Sequence, residues 1–102
     1  MIYLNRFDTA KGVMLAMCDE ELMGSLLREG KLEINLRDYG GFYRGDLVTE
    51  EEALKRIDGR VYSANVVGDR SVGLLIKKGI VKESEVRRVQ GVMFVHLFRV
   101  PN

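Results

Sequence analysis

Glycines recur along this sequence and divide it into short segments. The chain of 102 residues has 11 glycines against one proline, Pro101, so glycines mark most of its turns and helix ends. Between them, runs typical of β-strands alternate with short helical patterns. We predict one compact domain over residues 1–102, α+β or α/β, with a mixed, mostly antiparallel sheet and two to three short helices on one side. The hairpin-like start and the chain length favour α+β.

The strand predictions rest on two kinds of hydrophobic pattern. Residues 2–7 and 13–18 flank a short polar turn and predict a hairpin whose second strand is buried on both faces. Residues 31–37 alternate apolar with polar side chains, which is typical of a strand with one buried face and one wet face. Residues 61–67 and 92–100 also predict strands. The last is largely apolar on both faces, so we expect it to be central.

Three short helices are predicted between these strands. Residues 19–27 begin with three acids, which are favourable near a helix N-terminus, and continue with apolar residues at helical spacing. Thr49 opens the second helix, Glu52 completes a capping box with it, and Gly59 ends it. A third helix spans residues 69–78.

The scarcity of cysteine and histidine excludes several kinds of site. Cys18 is the only cysteine and His96 the only histidine, so we predict no disulfide, no metal site and no cofactor. A lone thiol fits a reducing cytoplasm. The N-terminus lacks the features of a signal peptide, and no apolar stretch approaches the roughly 18 residues of a membrane span. We therefore expect a cytoplasmic protein without membrane association. Its 30% charged residues and single glutamine resemble thermophile usage.

Charge is divided unevenly between the two halves of the chain. Residues 1–50 carry 6 basic and 9 acidic side chains, whereas residues 51–102 carry 10 and 6, a net charge of +4. That charge can attract an anion, although it is well short of a strongly basic nucleic-acid binder. Basic residues that suit a phosphate backbone lie in one stretch: Arg70, Lys77, Lys78, Lys82, Arg87 and Arg88. The alternative is a solvated helix end, since Glu83 and Glu85 lie among them. Residues 86–89 fit a helical turn or a strand equally well.

A glycine-rich aromatic loop offers a second set of nucleic-acid contacts. Tyr39, Phe42, Tyr43 and Arg44 supply rings and a guanidinium, which can stack on the bases of a single strand. The alternative is that these rings pin the loop to the core.

A strand-to-helix junction is the candidate anion or ligand site. Its residues are Asn65, Gly68, Asp69, Arg70 and Ser71. The free N–H groups of a helix N-terminus suit an anion, and Arg70 and Ser71 add donors. Asn65 needs hydrogen-bond partners if it is buried in its apolar strand. The structural alternative, which we favour, is an asparagine that ties a loop together and an Asp69 that caps the helix itself.

The remaining reactive side chains have mainly structural interpretations. Cys18 precedes three acids, which raise a thiol pKa, so we predict a buried apolar residue rather than a nucleophile. His96 lies between phenylalanines and is predicted to be packed and hydrogen-bonded. Asp19, Glu20 and Glu21 match no established metal pattern and more often face a helix dipole.

Several short stretches, in their order and spacing, resemble a small archaeal family, the domain of unknown function 424 family. They are residues 18–24, 28–32, 42–45, 48–52 and 64–69. The resemblance extends over roughly residues 1 to 100 and implies a cytoplasmic archaeal protein, but it implies no activity and no catalytic residues. One departure is visible. Family members follow a Gly-Val pair near the C-terminus with Pro-His, whereas Met93 and Phe94 follow Gly91-Val92 here.

Three function hypotheses follow from these residues. The first is a non-enzymatic module that binds RNA or a ribonucleoprotein through the basic residues and the aromatic loop. The second is a small-molecule-binding domain or enzyme centred on residues 65–70. The third is a structural protein that forms a homo-oligomer through an apolar patch or a sheet edge.

Overall fold

The structure, a computed structural model, describes residues 1–57 and 60–99. In these ranges the elements are β1 (Ile2–Thr9), β2 (Gly12–Asp19), β3 (Leu26–Glu29), β4 (Leu32–Asn35), β5 (Asp46–Val48), α1 (Glu50–Arg56), β6 (Val61–Val67), α2 (Asp69–Lys77), β7 (Arg87–Val89) and β8 (Val92–Phe98). Short 3₁₀ turns occur at Glu20–Leu22, Gly40–Phe42 and Glu83–Glu85. The predictions made for Gly59 and Val100 lie outside the described residues.

Six strands form the main sheet in the order β5-β1-β2-β6-β8-β7. The β1–β2 hairpin predicted from the sequence is confirmed, with register from Ile2 opposite Asp19 to Thr9 opposite Gly12. The described pairings are antiparallel except that of β2 with β6, which is parallel. The predicted α+β class with a mixed, mostly antiparallel sheet is therefore confirmed.

Both helices pack on one face of this sheet, which we call the helix face. Its core is a single cluster of buried aliphatic side chains that includes Leu15, Met17, Val66, Val72 and Leu75. The apolar side of α2 faces this cluster, because its buried residues recur at helical spacing. None of the described helices is long and apolar enough to cross a membrane.

The opposite face of the sheet is covered at one end by a separate hairpin. Strands β3 and β4 pair with each other, and their Leu27 and Ile34 pack with Cys18 and Phe94 of the main sheet. The helix predicted over residues 19–27 is therefore wrong. Gly24 has φ of 89°, which breaks a helix, and after it the chain is extended and pairs with β4.

The two helix starts differ from each other in how they are capped. At α1 the Thr49 half of the predicted capping box is confirmed, since Thr49 Oγ1 accepts a hydrogen bond from Glu52 N at 3.1 Å, whereas no bond from Thr49 N to the Glu52 carboxylate is found in the described residues. The Glu52 carboxylate accepts one from Arg56 Nε at 3.0 Å. At α2 the predicted cap is wrong, because Asp69 is the first helical residue and its Oδ1 accepts from Met93 N at 2.9 Å.

The last strands complete one side of the sheet. Strand β8 lies between β6 and β7, which confirms its central position. Residues 86–89, for which helix and strand were both open, contain β7 and thus form a strand at the sheet edge.

Candidate functional site

A carboxylate from a distant part of the chain occupies the N-terminus of α2. Asp19, the last residue of β2, is buried. Its Oδ1 accepts from Ser71 N at 2.9 Å and Ser71 Oγ at 2.6 Å, and its Oδ2 accepts from Arg70 N at 3.1 Å. Gly68 makes this approach possible, because a Cβ there would overlap the Asp19 carboxylate. The N–H groups predicted to attract an anion are thus satisfied by the protein itself.

The side chains around this junction are also paired. Arg70 makes an ion pair with Glu21, and its Nε lies 3.8 Å from Asp19 Oδ2. A cavity of about 210 Å³ beside them is lined by Asp19, Glu21, Asp69 and Arg70, with Leu22 and Val92. Three carboxylates against one guanidinium make its charge unsuited to an anion. Among the described residues no group of acids, histidines and cysteines is arranged to hold a metal ion.

Cys18 is buried next to this site, as the sequence predicts. Burial, followed by the negative charges of Asp19 and Glu21, raises the pKa of the Cys18 thiol to about 12. The thiol donates a hydrogen bond to the Asp19 carbonyl oxygen, with Sγ 3.2 Å away. At neutral pH Cys18 is therefore a protonated thiol inside the core and not an activated nucleophile.

The aromatic loop is pinned to the sheet and still presents rings to solvent. Tyr43 is buried, and burial, followed by the charge of Cys18, raises the pKa of its hydroxyl to about 12. The Phe42 ring is 40% exposed and stacks on Phe7 at a centroid distance of 6.2 Å, while Asn5 Nδ2 donates to the Phe42 carbonyl at 3.2 Å. The Tyr39 ring is 72% exposed. Tyr43 and Phe42 therefore attach the loop to the sheet, while Tyr39 remains exposed to solvent.

The loop ends at Arg44 beside the first strand. Its guanidinium lies over the Tyr3 ring, 6.0 Å from the ring centroid. This contact places a cation along the side of the sheet that does not carry the helices.

The structure does not bring the predicted basic residues to one surface. Arg70 lies in the first turn of α2, whereas Lys77 ends the helix about 10 Å away, given a rise of 1.5 Å per residue. Arg87 and Arg88 are successive strand residues, so they lie on opposite faces. Arg87 pairs with Phe94 and lies over its ring at 5.3 Å, while Arg88 pairs with Met93 on the helix face.

Lys77 and Lys78 instead remain at the C-terminal end of α2, and Lys82 follows a few residues later. A cavity of about 370 Å³ in this region is lined by Glu83 and Arg88, with Ile76, Val86 and Met93. The acid in its lining offsets the charge of Arg88. This segment therefore lacks a continuous basic surface that includes all six predicted residues.

A partly exposed area of the sheet is the candidate site, although Ala16 and Ser63 within it are buried. We call it the open face and define it by two rows of residues that pair across β1, β2, β6 and β8. The first row is Asn5, Ala16, Asn65 and His96, and the second is Phe7, Met14, Ser63 and Phe98. The next row, which we call the covered row, lies under the β3–β4 hairpin: Tyr3, Cys18, Val67 and Phe94.

Aromatic rings stand at both edges of the open face. At the β1 edge Phe42 stacks on Phe7, with an interplanar angle of 11°. At the β8 edge Phe98 is 68% exposed and meets Tyr62 edge-on at 6.2 Å. A bulge at the start of β6 supplies Tyr62, since the register shifts between Val13 and Met14. The two ring pairs are about 14 Å apart, given three strand spacings of about 4.8 Å.

Two polar side chains lie between these ring pairs. Asn65 and His96 are directly opposite each other in the β6–β8 pairing. His96 is exposed, so the prediction of a packed, hydrogen-bonded histidine is wrong, although its ring does contact Phe94 at 5.4 Å. Loss of solvent around the ring, followed by the charge of Arg87, lowers the pKa of His96. Its imidazole is therefore neutral at pH 7.

The candidate ligand set proposed from the sequence is thus divided by the fold. Gly68, Asp69, Arg70 and Ser71 lie together at the start of α2, whereas Asn65 belongs to the open face. Phe7, Met14 and Phe98 are not among the site residues predicted from the sequence. The signal that identifies Phe98 is the alternation in residues 92–98, which places it on the same face as His96.

The fold and this site define an α+β domain whose sheet carries helices on one face and a partly open area, with exposed His96 and Phe98, on the other. The chain belongs to a family of proteins of unknown function, DUF424, whose sequence profile matches residues 7–100. It is also similar to a solved structure, that of an uncharacterized conserved protein from Methanopyrus kandleri. The two are 27% identical with a TM-score of 0.74, over 99% of this chain and 96% of that one. No curated protein matches the chain.

Proposed function

We propose that this protein is a non-enzymatic module that binds single-stranded RNA, free or within a ribonucleoprotein, on its open face. The observation that carries the proposal is the pair of ring sites at the two edges of that face, Phe42 with Phe7 and Phe98 with Tyr62. Every base has a π-face, so exposed rings bind single strands regardless of sequence. The proposal retains the predicted role of the 39–44 loop and places the rest of the interface on the sheet.

The spacing of the rings suits an extended strand. The separation of about 14 Å between the two edges is close to the reach of two or three extended nucleotides, and a duplex would hide its bases from both ring pairs. Sheet surfaces with exposed aromatics on neighbouring strands are a common way to stack unpaired bases. Single-stranded RNA is therefore favoured over duplex RNA.

Charge along the open face supports the same ligand. Neither of its two rows contains an acidic residue. Lys11, in the turn between β1 and β2, and Arg60, just before β6, are exposed at the end beyond Phe7 and Phe98. Arg44 and Arg87 lie over rings of the covered row at the other end. Cations at both ends of an acid-free surface attract a phosphate backbone that crosses it.

The two rival hypotheses have weaker support. An anion at residues 68–71 would compete with Asp19, which already accepts the available N–H groups. Homo-oligomerisation would bury Phe98 and Phe42 against a second copy, and it is an outcome of the test below. An archaeal, thermophilic source and a cytoplasmic location remain part of the proposal.

Fluorescence anisotropy with a labelled single-stranded RNA of mixed sequence tests the proposal. The wild-type protein should bind, and its affinity should fall with salt at a log–log slope of about −0.7 per phosphate contact. Phe98→Ala and Phe42→Ala should each weaken binding about 5- to 150-fold, as expected for the loss of about 1–3 kcal/mol per stacked base. Leu47→Ala is the control, since it removes an exposed apolar side chain that belongs to neither row and lies outside the 39–44 loop.

Two results would contradict the proposal. The first is the absence of salt-sensitive RNA binding, in particular if size-exclusion chromatography shows a dimer that Phe98→Ala dissociates. The second is a loss of binding in the Lys77→Glu, Lys78→Glu double variant that exceeds the loss in Phe98→Ala. That result would place the interface at the end of α2 instead.

A further inference from the structure

We infer that Asn65 and His96 together recognise one unpaired nucleobase. Its hydrogen-bonding edge would contact both side chains between the two ring sites of the open face. This inference rests on the proposed function and deepens it, because stacking alone gives affinity without base preference. Base recognition of this kind would make the protein selective for one base at one position of the RNA strand.

The first observation is that both side chains are unpartnered where their neighbours are paired. Neither the Asn65 amide nor the His96 imidazole makes a hydrogen bond to any other residue in the ranges 1–57 and 60–99. Asn5, in the same row, does donate to the Phe42 carbonyl at 3.2 Å. Asp19 and Ser71, a few residues away in the fold, satisfy each other completely. Asn65 and His96 therefore present two free polar side chains directly opposite each other in the described sheet.

The second observation is the position of Asn65 in a central strand. Its sequence neighbours Ala64, Val66 and Val67 are fully buried, and asparagine is among the residues least suited to strands. A valine at this position would fit the strand better. The strand itself therefore gives no reason for an amide here, whereas a ligand that uses the amide donor and acceptor does.

The third observation is the charge state of the pair. An asparagine amide carries no charge, and the lowered pKa of His96 keeps its ring neutral at pH 7. Together they present two amide donors, a carbonyl acceptor, one ring donor and one ring acceptor. Phosphate offers only acceptors, whereas the edge of a nucleobase offers donors beside acceptors. The pair therefore matches a base rather than the backbone.

The geometry also places the pair where a base would lie. Residues 96 and 98 are on the same face of β8, about 7 Å apart along the strand. A nucleotide next to one stacked on Phe98 can therefore reach His96 with its base edge. Asn65, opposite His96 in β6, contacts the same base from the neighbouring strand.

The test uses four oligonucleotides that differ only in one central base and compares their affinities for the full-length protein. The wild-type protein should prefer one base over the poorest by about 5- to 100-fold, the discrimination expected of one bidentate contact. Asn65→Val should reduce this ratio to near 1 while raising the melting temperature. His96→Phe keeps the ring and removes both nitrogens, and it should also abolish the preference.

Asn5→Val is the matched control, because it removes an amide of the same row that already has a partner in the protein. It should lower affinity for all four oligonucleotides equally. Wild-type binding without base preference, or a preference that survives Asn65→Val and His96→Phe, would overturn the inference and leave the proposed function intact. Absence of binding to all four would overturn the proposed function and the inference with it.

Discussion

The Asp19 junction, where Asp19 meets Arg70 and Ser71 at the start of α2, and the open face lie on opposite sides of one sheet, and they differ in how their polar groups are paired. At the junction Asp19 lies on the helix face, is buried and accepts three hydrogen bonds from the start of α2. On the open face Asn65 and His96 have no hydrogen-bond partner in the part of the chain that the structure describes. A buried polar group must be paired to be tolerated, whereas an unpaired one at a wet surface is available to a ligand.

This difference separates stability from function within a few residues. Substitutions at the Asp19 junction should change the free energy of unfolding and affect RNA only through loss of fold. Substitutions on the open face should change RNA binding with little loss of stability. The predictions below test the structural half of that contrast in order of decreasing effect.

Asp19→Ala should be the most damaging of these changes, with a loss of about 2–4 kcal/mol in the free energy of unfolding. The substitution leaves Arg70 N and the Ser71 donors without the carboxylate that accepts from them. Denaturation by urea measures the loss, with the exposed Glu20→Ala as control. A loss below about 0.5 kcal/mol, typical of surface substitutions, would show that α2 does not depend on this carboxylate.

Gly68→Ala should cost about 2–3 kcal/mol, because φ of 116° strains an L-residue and the new Cβ overlaps the Asp19 carboxylate. Gly73→Ala is the matched control within α2, since nothing lies within 4 Å of its added Cβ. That change should stabilise the protein by about 0.5–1 kcal/mol through helix propensity. Equal melting temperatures for the two variants would contradict the close approach of Asp19 to Gly68.

Alkaline pH should weaken the fold because the unfolded chain releases protons first. The pKa values of Cys18 and Tyr43 are raised from 9.0 and 10.0 to about 12 in the folded protein. Stability should therefore fall from pH 9 upward, by up to about 1.4 kcal/mol per pH unit for each group. Cys18→Ala should flatten the profile above pH 9, and Tyr43→Phe should flatten it above pH 10. Identical profiles for wild type and both variants would show that these groups titrate normally.

Thr49→Ala should have the smallest effect, a loss of about 1 kcal/mol from the missing acceptor for Glu52 N at the start of α1. Glu51→Ala provides the comparison, as its exposed side chain pairs only with Lys55 at 3.9 Å. An unchanged urea midpoint for Thr49→Ala would mean that the hydroxyl is not a significant cap.

Local patterns in the sequence predict much of the fold and part of the site. The β1–β2 hairpin, α1 and the central β8 follow from alternation, helical spacing and capping, which act over a few residues. For residues 22–27 the local pattern predicts the wrong element, because their leucines fit a helix as well as a strand. Only the pairing of β3 with β4 decides between the two.

Contacts between distant residues account for what the sequence does not reveal. Asp19 caps a helix that begins 50 residues later, so no local pattern identifies it. The parallel pairing of β2 with β6 likewise depends on the whole fold. Asn65 does stand out in its apolar strand, but its proximity to His96 depends on the β6–β8 register.

Backbone amide NMR shifts, recorded while single-stranded RNA is titrated into the full-length protein, test the central claim most directly. The account predicts that the changes concentrate at Asn65, His96 and Phe98 and at the 39–44 loop, whereas amides of Ser71 and Lys77 stay near their free positions. Changes centred on residues 77–88, with the open face unaffected, would contradict it.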